Sequence, residues 1–198
     1  MQYYQRAWNN IPVFKTTHSI PVTSISVIIS ARNEEKNIES LLYSLEQQSY
    51  PKNLFELIIV DDYSEDDTWN MLAQYQDPSF STIFVKLSDH SPHEENIKSH
   101  KKKAIETGIR LSRGGLIVTT DADCIFPVDW LQTLAYYYES TNAKFIAAPV
   151  KIAGNTSLLS IFQTLDFITL QGITGASVYK NIHSMCNGAN LAYEKKSL

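Results

Sequence analysis

The residues best suited to chemistry are Asp121 and Asp123, two carboxylates separated only by Ala122. Carboxylates this close repel each other unless a cation or hydrogen-bond donors offset their charge. Mg²⁺ and Mn²⁺ take oxygen ligands, and they commonly bind through one or two carboxylates together with substrate phosphates. A metal held in this way neutralises a diphosphate leaving group and acts as a Lewis acid. Taken alone, however, the same triplet is also typical of a turn whose Asp side chains accept hydrogen bonds from loop amides.

A second acidic pair, Asp61-Asp62, directly follows the apolar run at 57–60. One hypothesis is that a carboxylate here accepts hydrogen bonds from a nucleobase or a ribose. The alternative is that the pair caps the following helix and complements its dipole.

Basic residues form a third group. Lys101, Lys102 and Lys103 stand at the start of a helical pattern, where the helix dipole disfavours cations. This misfit favours a phosphate-binding role for one lysine, although a run of solvated lysines is the simpler alternative. The nearby His90, His93 and His100 have no helical i, i+4 pairing and no cysteine partner, so we interpret them as surface-loop histidines.

The elements that must position these residues follow from the hydrophobic pattern. Strands are predicted at 25–30, 57–60, 82–85, 116–120 and 145–150, with helical stripes at 38–45, 69–73, 104–111 and 130–138. A mobile loop is predicted at 88–103, and a longer apolar segment runs over 158–178. Strands and helices that alternate at this spacing predict an α/β fold with a mostly parallel central sheet, right-handed crossovers and flanking helices.

Three predicted strands run directly into polar or acidic residues, at 30–35, 61–62 and 121–123. Ligands of open parallel sheets bind beyond the carboxyl ends of the strands. We therefore expect these three segments to converge on one crevice, and this convergence is the main indication of function.

Composition narrows the class of protein. With 198 residues and 43% hydrophobic content, the chain can build one sizeable core. The net charge of −4 gives no indication of nucleic-acid binding. Two cysteines, Cys124 and Cys186, make no disulfide framework and favour a reducing, cytoplasmic setting. No apolar run approaches the roughly 18 residues that span a bilayer, and the N-terminus lacks a signal-peptide pattern.

Together these residues resemble the family 2 glycosyltransferases, inverting enzymes of the GT-A type, through most of residues 25–194. The resemblance lies in five motifs in order: Val27 to Glu35, Phe55 to Thr68, Lys101 to Ile105, Thr119 to Cys124, and Cys186 to Tyr193. It implies a Rossmann-like nucleotide-diphospho-sugar transferase fold.

The resemblance also implies roles for particular residues. The nucleoside would be bordered by Ala31, Arg32 and Glu34, and the base would be contacted by Asp61 or Asp62. Lys101 would approach the nucleotide, while Asp121 would face the ribose and diphosphate and, with Asp123, bind Mg²⁺ or Mn²⁺. The acceptor side would be lined by Asn187, Gly188, Ala189 and Asn190. The implied reaction is a hexosyltransferase-like transfer, with inversion, from a nucleoside-diphosphate sugar to a hydroxyl of a glycan or lipid-linked acceptor. A double acid near the base favours uridine.

We expect a lead-in segment at 1–24 and a GT-A domain at 25–198 that is truncated at its C-terminus. In this family the general base is an acidic residue after the segment at 187–190, so we expect it beyond Leu198 and assign neither Asp166 nor Glu194 to the role. This fragment would then lack transfer activity. Relatives with such motifs often carry membrane helices, which is compatible with a parent protein at the cytoplasmic face of a membrane.

Three alternatives remain open from the sequence. The first is a non-catalytic nucleotide-sugar-binding module, which a missing base would allow. The second is a receiver-like signalling domain, in which the acidic pair should follow the first strand and not the second. The third is a nucleotidyltransferase, although the chain lacks a Gly-rich phosphate segment near its start.

Overall fold

The computed structural model describes residues 2–14, 21–76, 79–90, 99–153, 157–182 and 186–197. The helices are α1 (Gln2–Asn9), α2 (Ile38–Glu46), α3 (Thr68–Gln74), α4 (Leu87–His90), α5 (His100–Leu111), α6 (Trp130–Thr141) and α7 (Leu158–Tyr179); the strands are β1 (Ile25–Ala31), β2 (Phe55–Asp61), β3 (Ser81–Lys86), β4 (Leu116–Asp121), β5 (Phe145–Ala147) and β6 (Asn190–Glu194). Short 3₁₀ turns cover Lys52–Leu54 and Lys195–Ser197. The chain divides into two compact units, one of residues 16–146 and 188–198 and the other of residues 1–15 and 147–187.

The larger unit is built on a six-stranded sheet in the order β3-β2-β1-β4-β6-β5. Strands β1 to β4 pair in parallel, and β6 pairs antiparallel to β4. The predicted fold class, an α/β fold with a mostly parallel central sheet and flanking helices, is confirmed.

The core of this unit explains where α5 lies. Ile28, Ile58 and Ile117, from three neighbouring strands, are fully buried in one cluster with Leu87 and Ala104 from α4 and α5. Gly108 lets α5 approach β1 closely, because a Cβ at this position would lie 2.4 Å from Cγ2 of Ile28.

The predicted loop at 88–103 is wrong at both ends. Residues 88–90 belong to α4, and residues 100–103 form the first turn of α5, while 91–98 lie outside the described residues. The polar composition suggested a loop because the first turn of α5 turns the half-buried His100 and the exposed Lys101 and Lys102 toward the strand ends or solvent and not toward the core. The predicted strand at 145–150 is also shorter, since β5 ends at Ala147.

The smaller unit pairs α1 with the 22-residue helix α7. Gly175 of α7 leaves room for the Trp8 ring, which lies 3.0 Å from where a Cβ would be. The side-chain amide of Gln171 exchanges two 2.8 Å hydrogen bonds with the backbone of Val150. Within the described ranges, no helix combines the length and apolar character that crossing a membrane requires.

Candidate functional site

The register of the sheet brings three strand ends together. Ala31 at the end of β1 pairs with Asp61 at the end of β2, and Ser30 pairs with Asp121 at the end of β4. The backbone amide of Asp62 donates a 2.8 Å hydrogen bond to the carbonyl of Ala31, which extends the pairing one residue past the strands. The convergence expected from the sequence is therefore present in the structure.

Strand alternation decides which carboxylates face α5. Side chains two residues apart point to the same face of a sheet, and Val60 and Ile117 both belong to the cluster under α5. Asp62 lies two residues after Val60, and Asp121 lies four residues after Ile117, so both carboxylates point to the face that α5 covers. Asp61 has the opposite parity, so the two members of the acidic pair point to opposite faces.

Two consecutive residues of α5 pair with these two carboxylates. Nζ of Lys101 lies 2.6 Å from Oδ1 of Asp121, in a pair whose side chains are 55% and 31% exposed. Nδ1 of His100 lies 3.2 Å from Oδ1 of Asp62, where the side chains are only 27% and 5% exposed. The start of α5 thus contacts acids on β4 and just past β2, on either side of β1.

The acidic pair after β2 is electrostatically unusual. Burial raises the pKa of the Asp62 carboxyl above its ordinary value, and this effect outweighs the opposing influence of His100 and Arg32. Asp61 is also buried, and its Oδ1 has no hydrogen-bond partner among the described residues. Buried polar atoms are normally paired, so this orphaned oxygen marks the strand end as a place where a ligand or ion would be accommodated.

The turn after β1 is fastened to the turn after β2. Asn33 accepts a hydrogen bond from the amide of Glu65 through its side chain, and its own amide donates to Ser64. The amide of Glu34 donates 2.8 Å to Oγ1 of Thr68, the first residue of α3. These bonds hold the predicted nucleoside-bordering segment, in which Ala31 is buried, Arg32 is exposed and Glu34 is half-buried, beside Asp62.

The turn after β4 leaves its second carboxylate in solvent. Ala122 is buried and Asp123 is exposed. The amide of Cys124 donates a 3.3 Å hydrogen bond to the carbonyl of Asp121. The described residues contain no cluster of three or more His, Cys, Asp and Glu side chains that would make a metal cage. A pair of carboxylates at a strand end instead fits Mg²⁺ or Mn²⁺ that takes its remaining ligands from phosphate and water.

Part of the predicted acceptor-side segment lies directly against β4. Asn190 pairs in register with Thr120, and Oγ1 of Thr120 donates a 2.8 Å hydrogen bond to the carbonyl of Ala189. Nε1 of Trp130 donates 3.0 Å to Oδ1 of Asn190. Gly188 precedes this pair in the larger unit, whereas Asn187 belongs to the smaller unit.

Sequence reasoning missed three contributors to this site. His100 was interpreted as a surface-loop histidine, which is wrong because it begins α5 and pairs with a buried carboxylate. Its signal was its position immediately before Lys101, on a helix start aimed at the strand ends. Thr120 and Trp130 were taken only as strand and helix residues, and nothing in their spacing revealed that they anchor the segment at 189–190.

Comparison with known proteins identifies the family. The model of glycosyl transferase family 2 matches residues 26–198. Glycosyltransferase AglE of Haloferax volcanii is 33% identical over 127 residues, which are 64% of this chain and 39% of that protein. Dolichyl-phosphate beta-glucosyltransferase ALG5D of Trichomonas vaginalis is 35% identical over 130 residues, 61% of this chain and 37% of that protein. The matched part therefore spans less than two fifths of either relative.

Two solved structures show the same fold. The mannosyltransferase PcManGT from Pyrobaculum calidifontis, in complex with GDP-Man and Mn²⁺, matches 98% of this chain and 52% of its own with a TM-score of 0.74 and 23% identity. Glucosyl-3-phosphoglycerate synthase from Mycobacterium tuberculosis, in complex with Mn²⁺, UDP and glucosyl-3-phosphoglycerate, matches 88% of this chain and 57% of its own with a TM-score of 0.54 and 23% identity. The α/β fold with its six-stranded sheet is the GT-A fold, and the chain belongs to glycosyl transferase family 2.

Proposed function

We propose that this chain is the donor-binding part of a glycosyltransferase that uses a nucleoside-diphosphate sugar, with a UDP-sugar favoured, and that transfers the sugar with inversion and with Mg²⁺ or Mn²⁺. The observation that carries the proposal is the contact of Asp62 and Asp121, at the ends of the two strands that flank β1, with two consecutive residues at the start of α5. The family match argues against the receiver-like alternative.

The spacing of the strands suits a nucleotide laid across β1. Asp121 ends β4 and Asp62 directly follows β2, the strands on either side of β1, so the two residues lie about two strand spacings, roughly 10 Å, apart. In this arrangement the base lies at the Asp61-Asp62 end and the diphosphate at Asp121 and Asp123. The nucleoside between them is bordered by the backbone of Ala31 and by the residues that follow it.

The diphosphate end combines two carboxylates with a cation. Asp123 and Asp121 would hold the metal, which when bound neutralises charge on the diphosphate as it leaves. Lys101 already lies at Asp121, so its ammonium group is placed to pair with phosphate oxygens at the same point. PcManGT and the synthase were both solved with Mn²⁺, which supports a divalent ion here.

The acceptor would approach from the segment at 187–190, where Thr120 and Trp130 anchor Ala189 and Asn190. Inversion requires a base that takes the proton of the attacking hydroxyl. Glu194 does not suit this role, because it pairs in register with Leu116 at the opposite end of β4 from Asp121. Its carboxylate is also engaged by Lys144 at 2.8 Å. We therefore assign the base to none of the described residues.

Names of the similar proteins point to the classes of substrate. Donors in the solved structures include GDP-Man and UDP-GlcNAc, and one curated relative is an undecaprenyl-phosphate sugar transferase. For this chain, a carboxylate facing the base favours uracil. The proposed acceptor is a glycan or a lipid-linked molecule, reached at the cytoplasmic face of a membrane.

Isothermal titration tests the donor site. UDP and GDP are titrated into the chain with and without Mn²⁺, using wild type, Asp123→Ala and a matched control, Asp129→Ala. Asp129 is exposed and its side chain makes no capping hydrogen bond to α6. We expect metal-dependent binding in wild type and in the control and its loss in Asp123→Ala.

Equal metal-dependent affinity in Asp123→Ala and wild type would contradict the site. Binding without sugar transfer or donor hydrolysis in the full-length parent would instead favour the non-catalytic module.

A further inference from the structure

His100 is held in place on two sides. Its Nδ1 lies 3.2 Å from Oδ1 of Asp62, and its ring meets the ring of Tyr63 edge to face, with centroids 5.6 Å apart and planes at 82°. Tyr63 directly follows Asp62 and has a left-handed backbone with φ of 56°. The imidazole is therefore oriented by the same turn whose carboxylate it contacts.

The carboxylate of Asp62 needs such a partner. Its side chain is only 5% exposed, and a carboxylate taken out of water loses hydration unless a donor or a cation replaces it. Among the described residues, the hydrogen bond seen at this side chain comes from His100. Because Nδ1 faces a carboxylate, it is the ring nitrogen that carries the proton and donates.

A carboxylate fixed in this way discriminates between bases. Each carboxylate oxygen can accept hydrogen bonds, so one can stay with His100 while the other accepts an N–H from a ligand. Uracil offers an N–H at its N3 position, whereas cytosine, which has nearly the same size, offers a lone pair there. Two acceptors facing each other repel, so an anchored carboxylate favours UDP over CDP.

We propose that His100 is a positioning residue that fixes Asp62 and thereby sets the base selectivity of the donor site. The proposal rests on the donor site proposed above and adds to it a residue outside the acidic motifs. His100 acts through Asp62 and does not itself touch the base.

The test is a titration of UDP and CDP in the presence of Mn²⁺. The variants are His100→Ala, His100→Asn and His100→Gln, with His90→Ala as the matched control because His90 is an exposed residue of α4. The Asn amide can donate from near the position of Nδ1, whereas the longer Gln amide cannot.

We expect His100→Ala and His100→Gln to bind UDP about tenfold more weakly, the order of affinity carried by one hydrogen bond to a charged group. CDP binding should change little, so the UDP/CDP ratio falls. His100→Asn should restore the ratio, and His90→Ala should match wild type. In an Asp62→Ala background, His100→Ala should have no further effect, because the two residues act as one unit.

The readout separates this proposal from a structural role and from the donor site itself. An unchanged UDP/CDP ratio in His100→Ala and His100→Gln would overturn it, whether or not binding of both nucleotides weakens equally. A further loss of UDP binding when His100→Ala is added to Asp62→Ala would also overturn it. If wild type binds neither nucleotide with Mn²⁺, the donor site is wrong. If Asp123→Ala abolishes binding while the His100 variants keep the UDP/CDP ratio, only the role of His100 is wrong.

Discussion

Glu56 holds the register of the strands that carry the site, and its replacement should unfold the larger unit more readily. Oε1 of Glu56 accepts hydrogen bonds of 2.6 Å from Oγ of Ser26 on β1 and of 2.6 Å from the amide of Arg113, just before β4. Oγ of Ser26 in turn accepts 2.8 Å from the amide of Gly114. Glu56 is 6% exposed and Ser26 is fully buried, so the hydroxyl of Ser26 cannot turn to water when it loses this acceptor.

Glu56→Leu removes two hydrogen bonds to a charged acceptor, each worth about 1.5–3 kcal/mol. Burial of the leucine offsets part of the loss, so we expect the free energy of unfolding to fall by about 2–4 kcal/mol. Glu56→Gln keeps an acceptor oxygen and should lose about 1 kcal/mol. Domains of this size have only about 5–15 kcal/mol of stability in total, so the first change is large.

The assay is urea unfolding followed by tryptophan fluorescence, since Trp69 and Trp130 lie in the same unit as Glu56. Glu106→Leu is the matched control, because Glu106 is 47% exposed and its ion pairs among the described residues are surface pairs with Lys102 and Lys103. It should change stability by less than about 1 kcal/mol. A Glu56→Leu protein within about 1 kcal/mol of wild type, or one no less stable than Glu106→Leu, would refute the reasoning.

Three further predictions follow from single contacts. Gly108→Ala should lower the free energy of unfolding by about 1–3 kcal/mol, because its Cβ would lie 2.4 Å from a β1 side chain. Gly172→Ala has open space around it and should stabilise α7. Urea titrations of both variants check these two expectations. Because burial raises the folded-state pKa of Asp62 above 3.8, the folded protein loses stability as pH rises from about 3.8 to that pKa; in urea titrations across pH, the stability of Asp62→Asn relative to wild type should rise over this interval and then stay constant. Lys101→Ala should change stability by less than about 1 kcal/mol, since its ion pair is half exposed, yet weaken UDP binding about tenfold when titrated beside Lys102→Ala.

Much of the fold follows from local patterns in the sequence. The predicted strands at 25–30, 57–60 and 116–120 are rich in β-branched and apolar residues, as is typical of strands covered on both faces, and each lies within a strand of the structure. Their order along the chain, with helices between them, is enough to place the acids that follow them at one edge of the sheet.

The pairing at the start of α5 could not be predicted in the same way. His100 and Lys101 lie in a polar stretch without hydrophobic periodicity, so the pattern indicated a helix start near the lysines but not which side chains it would contact. The contacts of these residues depend on how α5 packs over β1, which Gly108 allows. This packing brings His100 to Asp62, 38 positions away in the sequence, and Lys101 to Asp121, 20 positions away.

The anchoring of the acceptor-side segment is another long-range feature. β6 runs antiparallel to β4 and closes a contact 69 residues apart between Thr120 and Ala189. The helix α1 lies within the predicted lead-in segment at 1–24, for which no helix was predicted; the prolines at 12 and 21 interrupt the pattern of this segment, but both follow the helix, which ends at Asn9.

The central claim is that a donor nucleotide binds beyond the carboxyl ends of β1, β2 and β4. Amide NMR spectra of the chain, recorded as UDP and Mg²⁺ are added, test this most directly because each strand supplies its own control. We predict shifts at Ala31, Asp62 and Asp121 and none at the first residues of the same strands, Ile25, Phe55 and Leu116. Shifts confined to those amino ends, or to the surface groove between α2 and α3 lined by Tyr43 and Tyr75, would contradict the account.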